Sequence, residues 1–278
     1  MDNVTFTALS TGLLVAVGSA QVAILIGQRQ QQRLDWVEEY RKRWSDKEND
    51  WANLVYLGRS LDSYYQVANS KKIKKLNKLT LEYEAHSPTI WALNSVRNTC
   101  GTISDVCLKI LQGQLKVQEI YPIFGTEFLR HSVALRSLLD RVDILSNYGR
   151  IGPDHIRTCH NNIRNEVQTW LICHDGIRRR CLIFIDLLWA EAARLEDLPP
   201  DDLKSAANAK INSGSNNRKR LIKEFLRLNS STSIIRGLFL MHFLMHAEYR
   251  RRVLRIGINP KRLDELTQEW TRRYINKK

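Results

Sequence analysis

Residues 6–27 read FTALSTGLLVAVGSAQVAILIG, an uncharged run with Arg29 close behind it. A helix needs about 20 apolar residues at about 1.5 Å each to cross the roughly 30 Å hydrocarbon core of a bilayer, and this run is long enough. It predicts one transmembrane helix over residues 6–27. A signal peptide is the rival reading, because Gly18-Ser19-Ala20 resembles a small-residue cleavage site. Against it, the preceding residues carry Asp2 and no Lys or Arg, and apolar residues continue past the cut. Arg29, Arg33, Arg41, Lys42 and Arg43 crowd the C-terminal flank. That asymmetry predicts a single-pass protein of the cell membrane, with its N-terminus outside and its C-terminal domain in the cytoplasm. No other window reaches spanning length without charge: residues 181–190 hold Asp186, and residues 234–245 hold Arg236 and His242.

Within the run, small residues recur every fourth position at Ala8, Gly12, Ala16 and Ala20, with a second row of Ser19, Ala23 and Gly27. That spacing keeps them on one stripe, where another helix can approach closely, and Gln21 beside it can hydrogen-bond across such an interface. The stripe predicts a homo-oligomer. The alternative is that Ala and Gly are merely common in spans, with Gln21 near enough to the headgroups to reach them.

Beyond residue 27, strand signals are weak and helix breakers few, so the fold class is all-α. Residues 28–68 read as a juxtamembrane stalk helix, with Val37, Tyr40, Trp44, Trp51, Leu54, Leu61 and Tyr65 on one apolar seam. Residues 88–278 read as a helical domain. In it one helix stops at Gly113, another opens near Tyr121-Pro122 and Gly125, and Asp154 is a candidate N-cap for a helix from His155 to His174. Asp175-Gly176 separates the next helix, which stops before Pro199-Pro200. Residues 212–217 (NSGSNN) are the most linker-like patch, followed by helices over about 218–228, 231–255 and 261–275. There is no internal repeat.

Lys plus Arg number 43 against 29 Asp plus Glu, a net charge of +14. So basic a chain attracts anionic lipid or nucleic acid. Lys71, Lys72, Lys74, Lys75 and Lys78 form one cluster, and Arg250, Arg251, Arg252 and Arg255 another; a solvated surface is the alternative for both. The cysteines at 100, 107, 159, 173 and 181 sit in apolar helical contexts outside any CxxC pair, and read as reduced core thiols.

Motifs for chemistry are sparse. Arg150-x4-His155 and Arg236-x5-His242 match the Arg–His spacing of the helical ribonuclease family called HEPN, in which two such pairs meet across a dimer to cut RNA. Gly152 and Pro153 inside the first pair depart from that pattern, and the alternatives are a loop charge for the first and a packing pair for the second. His242 and His246 lie one turn apart, a spacing that suits metal ligands, but no HExxH glutamate accompanies them. Cys159-His160 and Cys173-His174 lack the close spacing of zinc sites. No phosphate loop, dinucleotide fingerprint, nucleophile elbow or EF-hand loop is present, so neither a cofactor nor a metal is expected.

The basic Trp-rich segment EEYRKRWSDKENDW and the stretch WALNSVRNTCGTISDVCLKILQGQLKVQEIYPIFG resemble a family of uncharacterised bacterial single-span membrane proteins. The general plan also looks like that of the membrane accessory proteins of RNA-targeting CRISPR systems, which pair a span with a degenerate HEPN-like domain and assemble into rings. The resemblance implies a defence-associated protein that acts by assembly rather than turnover. The leading expectation is therefore a non-enzymatic homo-oligomer forming a pore, a membrane perturbation or a scaffold. Its expected partners are itself, membrane lipids and a cytosolic protein or RNA complex. The alternative is a membrane-tethered ribonuclease or RNA-binding module using Arg150 and His155.

Overall fold

The computed structural model describes residues 3–59, 67–82, 89–140, 158–229, 234–250 and 255–275, and the side chains from residue 17 onward. Within them the fold is all-helical, with one isolated bridge between Tyr249 and Ile258. The chain divides into two compact units, Met1–Lys42 and Arg43–Lys278.

The first unit is made by most of α1 (Asn3–Ser45), a helix of 43 residues. Among the described residues no helix is long and apolar enough to cross a membrane. The expected transmembrane helix and single-pass membrane localisation are corrected on that finding. The apolar run does not form a helix of its own, for α1 carries it on into a polar segment. Gln28, Arg29, Gln30, Gln31, Gln32 and Arg33 then continue the same helix.

The second unit begins with a bend. The stalk reading places residues 28–68 on one helix, but α1 ends at Ser45 and α2 (Glu48–Gly58) starts after a turn in which the Lys47 amide donates to the Trp44 carbonyl. Glu48 and Asp50 in the first turn of α2 suit the positive end of its dipole. Trp44 and Trp51, about 10 Å apart along the axis of an unbroken helix, bring their ring centroids to 5.6 Å across the bend. Both join Phe128, and Trp44 also meets Phe124, which reaches Phe184. Leu61 and Tyr65 of the expected seam lie outside the described residues.

The remaining helices are α3 (Ser70–Leu81), α4 (Ile90–Gln112), α5 (Val117–Leu139), α6 (Thr158–Cys173), α7 (Asp175–Leu195), α8 (Pro200–Leu228), α9 (Ile234–Leu244) and α10 (Pro260–Trp270). Helix α7 is the axis of the unit. Its residues from Cys181 to Leu188 are all buried, the pattern of a helix enclosed on every side, and α4, α5, α6, α8 and α9 pack on it. Helix α2 packs on α4 and α5, α3 on α6, and α10 on α8. Gly113 closes α4 in the left-handed conformation, as expected. A helical stretch does open after Gly125, which breaks the helical path inside α5 at φ +63°, and Pro122 lies in the stretch before it, which begins at Val117.

The NSGSNN linker is also corrected: residues 212–217 run inside α8 without a break. Their low helix propensity is overridden by packing. A side chain at Gly214 would press on the Glu248 carboxyl, which pairs with Arg218, and Asn217 is buried.

Helices α2 and α5 meet at Gly58, where an added Cβ would lie 2.0 Å from the Ala134 carbonyl oxygen. Gly58→Ala must therefore part the two helices, and should cost about 1–3 kcal/mol of unfolding free energy, read as a lower urea midpoint.

Candidate functional site

Among the expected lipid or nucleic-acid contacts, the lysines of α3 are the ones the fold gathers around a cleft. Helix α3 is amphipathic: Leu76 and Thr80 are buried, while Lys71, Lys74 and Lys75 are exposed and Lys72 is half-buried. Asn69 caps the helix, its side chain accepting from the Lys72 amide at 2.8 Å. Lys71, Lys72 and Lys75 line a cleft of about 360 Å³ between the start of α3 and the start of α2, closed by Glu48, Asn49, Ala52, Val67, Ala68 and Asn69. The Lys72 ammonium donates to Asn49 Oδ1 at 3.3 Å. Burial, and then the neighbouring Lys75, lower the Lys72 pKa, against the pull of Asp50. Three lysines and one acidic residue, Glu48, therefore line the cleft, with the Asp50 carboxylate near enough to act on Lys72. Lys74 is not part of the lining, and Lys78 pairs with Glu82 at 3.6 Å. The asparagines at 49 and 69 went unread in the sequence, although Asn69 before Ser70-Lys71 has the form of a helix N-cap.

The other expected sites are not assembled. Arg150 and His155 lie outside the described residues, as do Arg251 and Arg252. The Arg250 side chain is exposed and its amide donates to the Ile258 carbonyl. Arg236, of the second Arg–His match, donates to the Gln112 carbonyl at 2.7 Å and caps α4, while His242 is exposed. His246 is half-buried against Phe243. Among the described residues no group of three or more His, Cys, Asp or Glu is placed to hold a metal. Of the oligomerisation stripe, Ala8, Gly12 and Ala16 lie outside the described side chains; Ala20 and Gln21 are exposed.

The cysteines are free thiols, as expected, with Cys100, Cys107 and Cys181 buried. Cys181 Sγ donates to the Cys100 carbonyl, and burial raises the thiols of Cys107 and Cys181, which keeps them protonated. Cys159 is half-buried and Cys173 exposed, unlike the core position expected of them.

A second cavity, of about 540 Å³, lies between α4 and α6 and is lined by Leu93, Asn162, Asn165, Glu166, Thr169 and Trp170. His174 stacks on Trp170 with centroids 3.9 Å apart and 17° between planes. Glu166 accepts a hydrogen bond from Thr89, and Asn165 Oδ1 is buried and accepts none from the described residues.

Two buried carboxylates hold the scaffold beneath these sites. Asp186 is paired with Arg136 at 2.8 Å and with Lys210, and Arg220 stands 3.9 Å away. Burial would raise its pKa, but Lys210 and Arg136 outweigh it and hold the carboxyl at about 2. Glu224 receives Arg179 at 3.0 Å, Arg180 at 3.1 Å and Arg227 at 3.1 Å. His160 stacks on Tyr56 with 2° between planes, its Nε2 3.1 Å from the Leu57 carbonyl; burial drives its pKa to about 4 although that carbonyl pulls the other way.

No family of proteins, curated protein or solved structure matches the chain.

Both shifts make stability fall with acid. The His160 imidazole is less basic when folded, so its contribution is whole above about pH 6.5 and fades as pH drops toward about 4; the Asp186 contribution is whole above about pH 3.9 and fades toward about 2. Urea midpoints measured down this range should fall in those two windows. His160→Gln should remove about 3 kcal/mol of the drop between about pH 6.5 and 4, the rest belonging to groups such as His131 and His246, whose pKa values burial also lowers.

Proposed function

We propose that this chain is a basic helical module that binds single-stranded nucleic acid, with the α2–α3 cleft as its phosphate site. The observation that carries this reading is the convergence of Lys71, Lys72 and Lys75 on a cleft whose other polar groups include Asn49 and Asn69. Lysine ammonium groups neutralise backbone phosphates without regard to sequence, and amides add hydrogen bonds to phosphate and sugar oxygens. A concave site suits a chain of phosphates running through it. A flat bilayer surface would favour lysines on an open face with apolar side chains among them.

Lys71→Glu with Lys75→Glu should weaken binding of an oligouridylate of about 20 nucleotides by about tenfold or more at about 0.1 M salt. The dependence of log K on log salt should become shallower by about 0.7 for each phosphate that the altered cleft no longer neutralises. Equal binding by both proteins removes the cleft from the reading. Binding of vesicles rich in anionic lipid, with no binding of the oligonucleotide, replaces the reading with a lipid one.

A second reading, action by self-association, rests on a separate observation. Helix α1 leaves Val22, Ile24, Leu25 and Ile26 more than half exposed, at 53–59%. Contiguous apolar surface of this kind marks an interaction face, and a second copy of the same helix is the partner we propose. The full chain should then scatter light at a multiple of its 32.4 kDa, and Val22→Glu with Leu25→Glu, on one face of the helix, should return it to the monomer. A monomeric full chain sinks this reading.

A further inference from the structure

We propose that the α4–α6 cavity takes a nucleobase, making Trp170 a stacking platform for the single strand whose phosphates run through the lysine cleft. This inference rests on the nucleic-acid reading above and adds to it the part of the strand that the lysines cannot recognise.

Binding of single strands combines a cationic groove for the backbone with aromatic side chains on which bases stack. The cavity supplies the second component. Residues 162, 165, 166, 169 and 170 recur at three- and four-residue steps, so α6 turns one face toward it. That face is not closed by α4, which contributes Leu93. The cavity is a wide, open recess of about 540 Å³, a shape on which a base can stack without being enclosed. The Trp170 indole is fixed by the His174 ring stacked on it, and His174 is fixed in turn by Nδ1 at 2.8 Å from the Trp170 carbonyl. A ring so held loses little freedom when a second planar group is laid on it.

The polar groups match a base edge. Asn162 and Asn165 each offer an amide with both donor and acceptor, the same complement that bases present. Asn165 Oδ1 is buried and accepts no hydrogen bond from the described residues, so the side chain must turn toward the recess for that oxygen to meet a base N–H. The Glu166 carboxylate accepts from the Thr89 hydroxyl and keeps its charge, so the site favours a base edge that presents N–H donors. The two sites also belong to one group of helices: α2 and α3, which form the lysine cleft, both pack on α6, and α2 packs on α4.

The test compares two probes of equal length and charge on the full chain, an oligouridylate of about 20 nucleotides and the matching abasic ribose-phosphate oligomer. The oligouridylate should bind about 10- to 100-fold more tightly, the usual effect of base stacking. Trp170→Ala should bring its affinity down to that of the abasic probe without changing the latter, and Trp170→Phe should keep most of the preference. Equal binding of both probes by the unaltered chain overturns the base pocket, whatever the variants do. So does a preference that survives Trp170→Ala. In either of those cases loss of binding in the Lys71→Glu, Lys75→Glu chain still supports the phosphate cleft. If neither probe binds the unaltered chain, both readings fall together.

Discussion

The burial of two carboxylates, Asp186 on α7 and Glu224 on α8, fixes how the helices of the second unit can be stacked. Each is almost inaccessible, at 2% and 2% of residue surface, and a buried charge that loses its partner costs about 3–5 kcal/mol. The partners come from different places. Asp186 takes Arg136 from α5 and Lys210 from α8, while Glu224 takes Arg179 and Arg180 from α7 and Arg227 from its own helix. A shift of α5 or α8 by one helical turn, about 5.4 Å, would break these pairs together. Apolar packing of α7 alone would tolerate such shifts far better, because Leu, Ile and Phe recur along its length and can exchange holes.

This frame leaves the outer helices free to carry polar surface. Helix α3 touches the unit through Leu76 and Thr80 and turns its lysines away, and α6 keeps Ile163, Val167 and Leu171 inside while Asn162, Asn165 and Trp170 border a cavity. Neither cavity lies on α7, where the side chains are packed tightly and the ionised groups are already satisfied by one another. The sites are therefore built where the core no longer dictates residue type, on helices whose inner stripe is narrow.

Much of the helical plan was legible because it rests on local chemistry. Gly113 ends α4 since only a left-handed residue can close that turn, and the Pro199-Pro200 step begins α8 because proline is suited to a first turn. The misreadings have tertiary causes. Residues 212–217 have the composition of a linker, yet Gly214 is needed where Glu248 comes close, and that contact is with a residue more than thirty positions away. The bend after Ser45 is driven by Trp44 and Trp51 meeting the phenylalanines of α5, which no pattern within residues 28–68 contains. The lysines of the cleft were visible as a cluster. Their concave setting was not, since it depends on α2 lying beside α3. Trp170 and the asparagines of α6 read as an ordinary amphipathic helix until α4 is placed opposite them.

The net charge of +14 says less about a partner than the way it is divided between arginine and lysine. Arg136, Arg178, Arg179, Arg180 and Arg218 are each engaged with Asp or Glu inside the unit. Arginine suits that task because its planar fork donates to two acceptors at once, and it stays charged when partly buried. Those charges are neutralised within the fold and project little field outward. On α3 the cations are lysines at the surface, and the ion pairs among the described residues use Lys78 rather than Lys71, Lys72 or Lys75. A compact, well-hydrated ammonium on a flexible stem adapts to a string of phosphates whose spacing varies, and requires no fixed geometry from its ligand. The side chains that stabilise this molecule and those we propose for a polyanion are thus different residue types in different places, and the proposal rests on the local concentration of lysines at the α2–α3 cleft rather than on the overall excess.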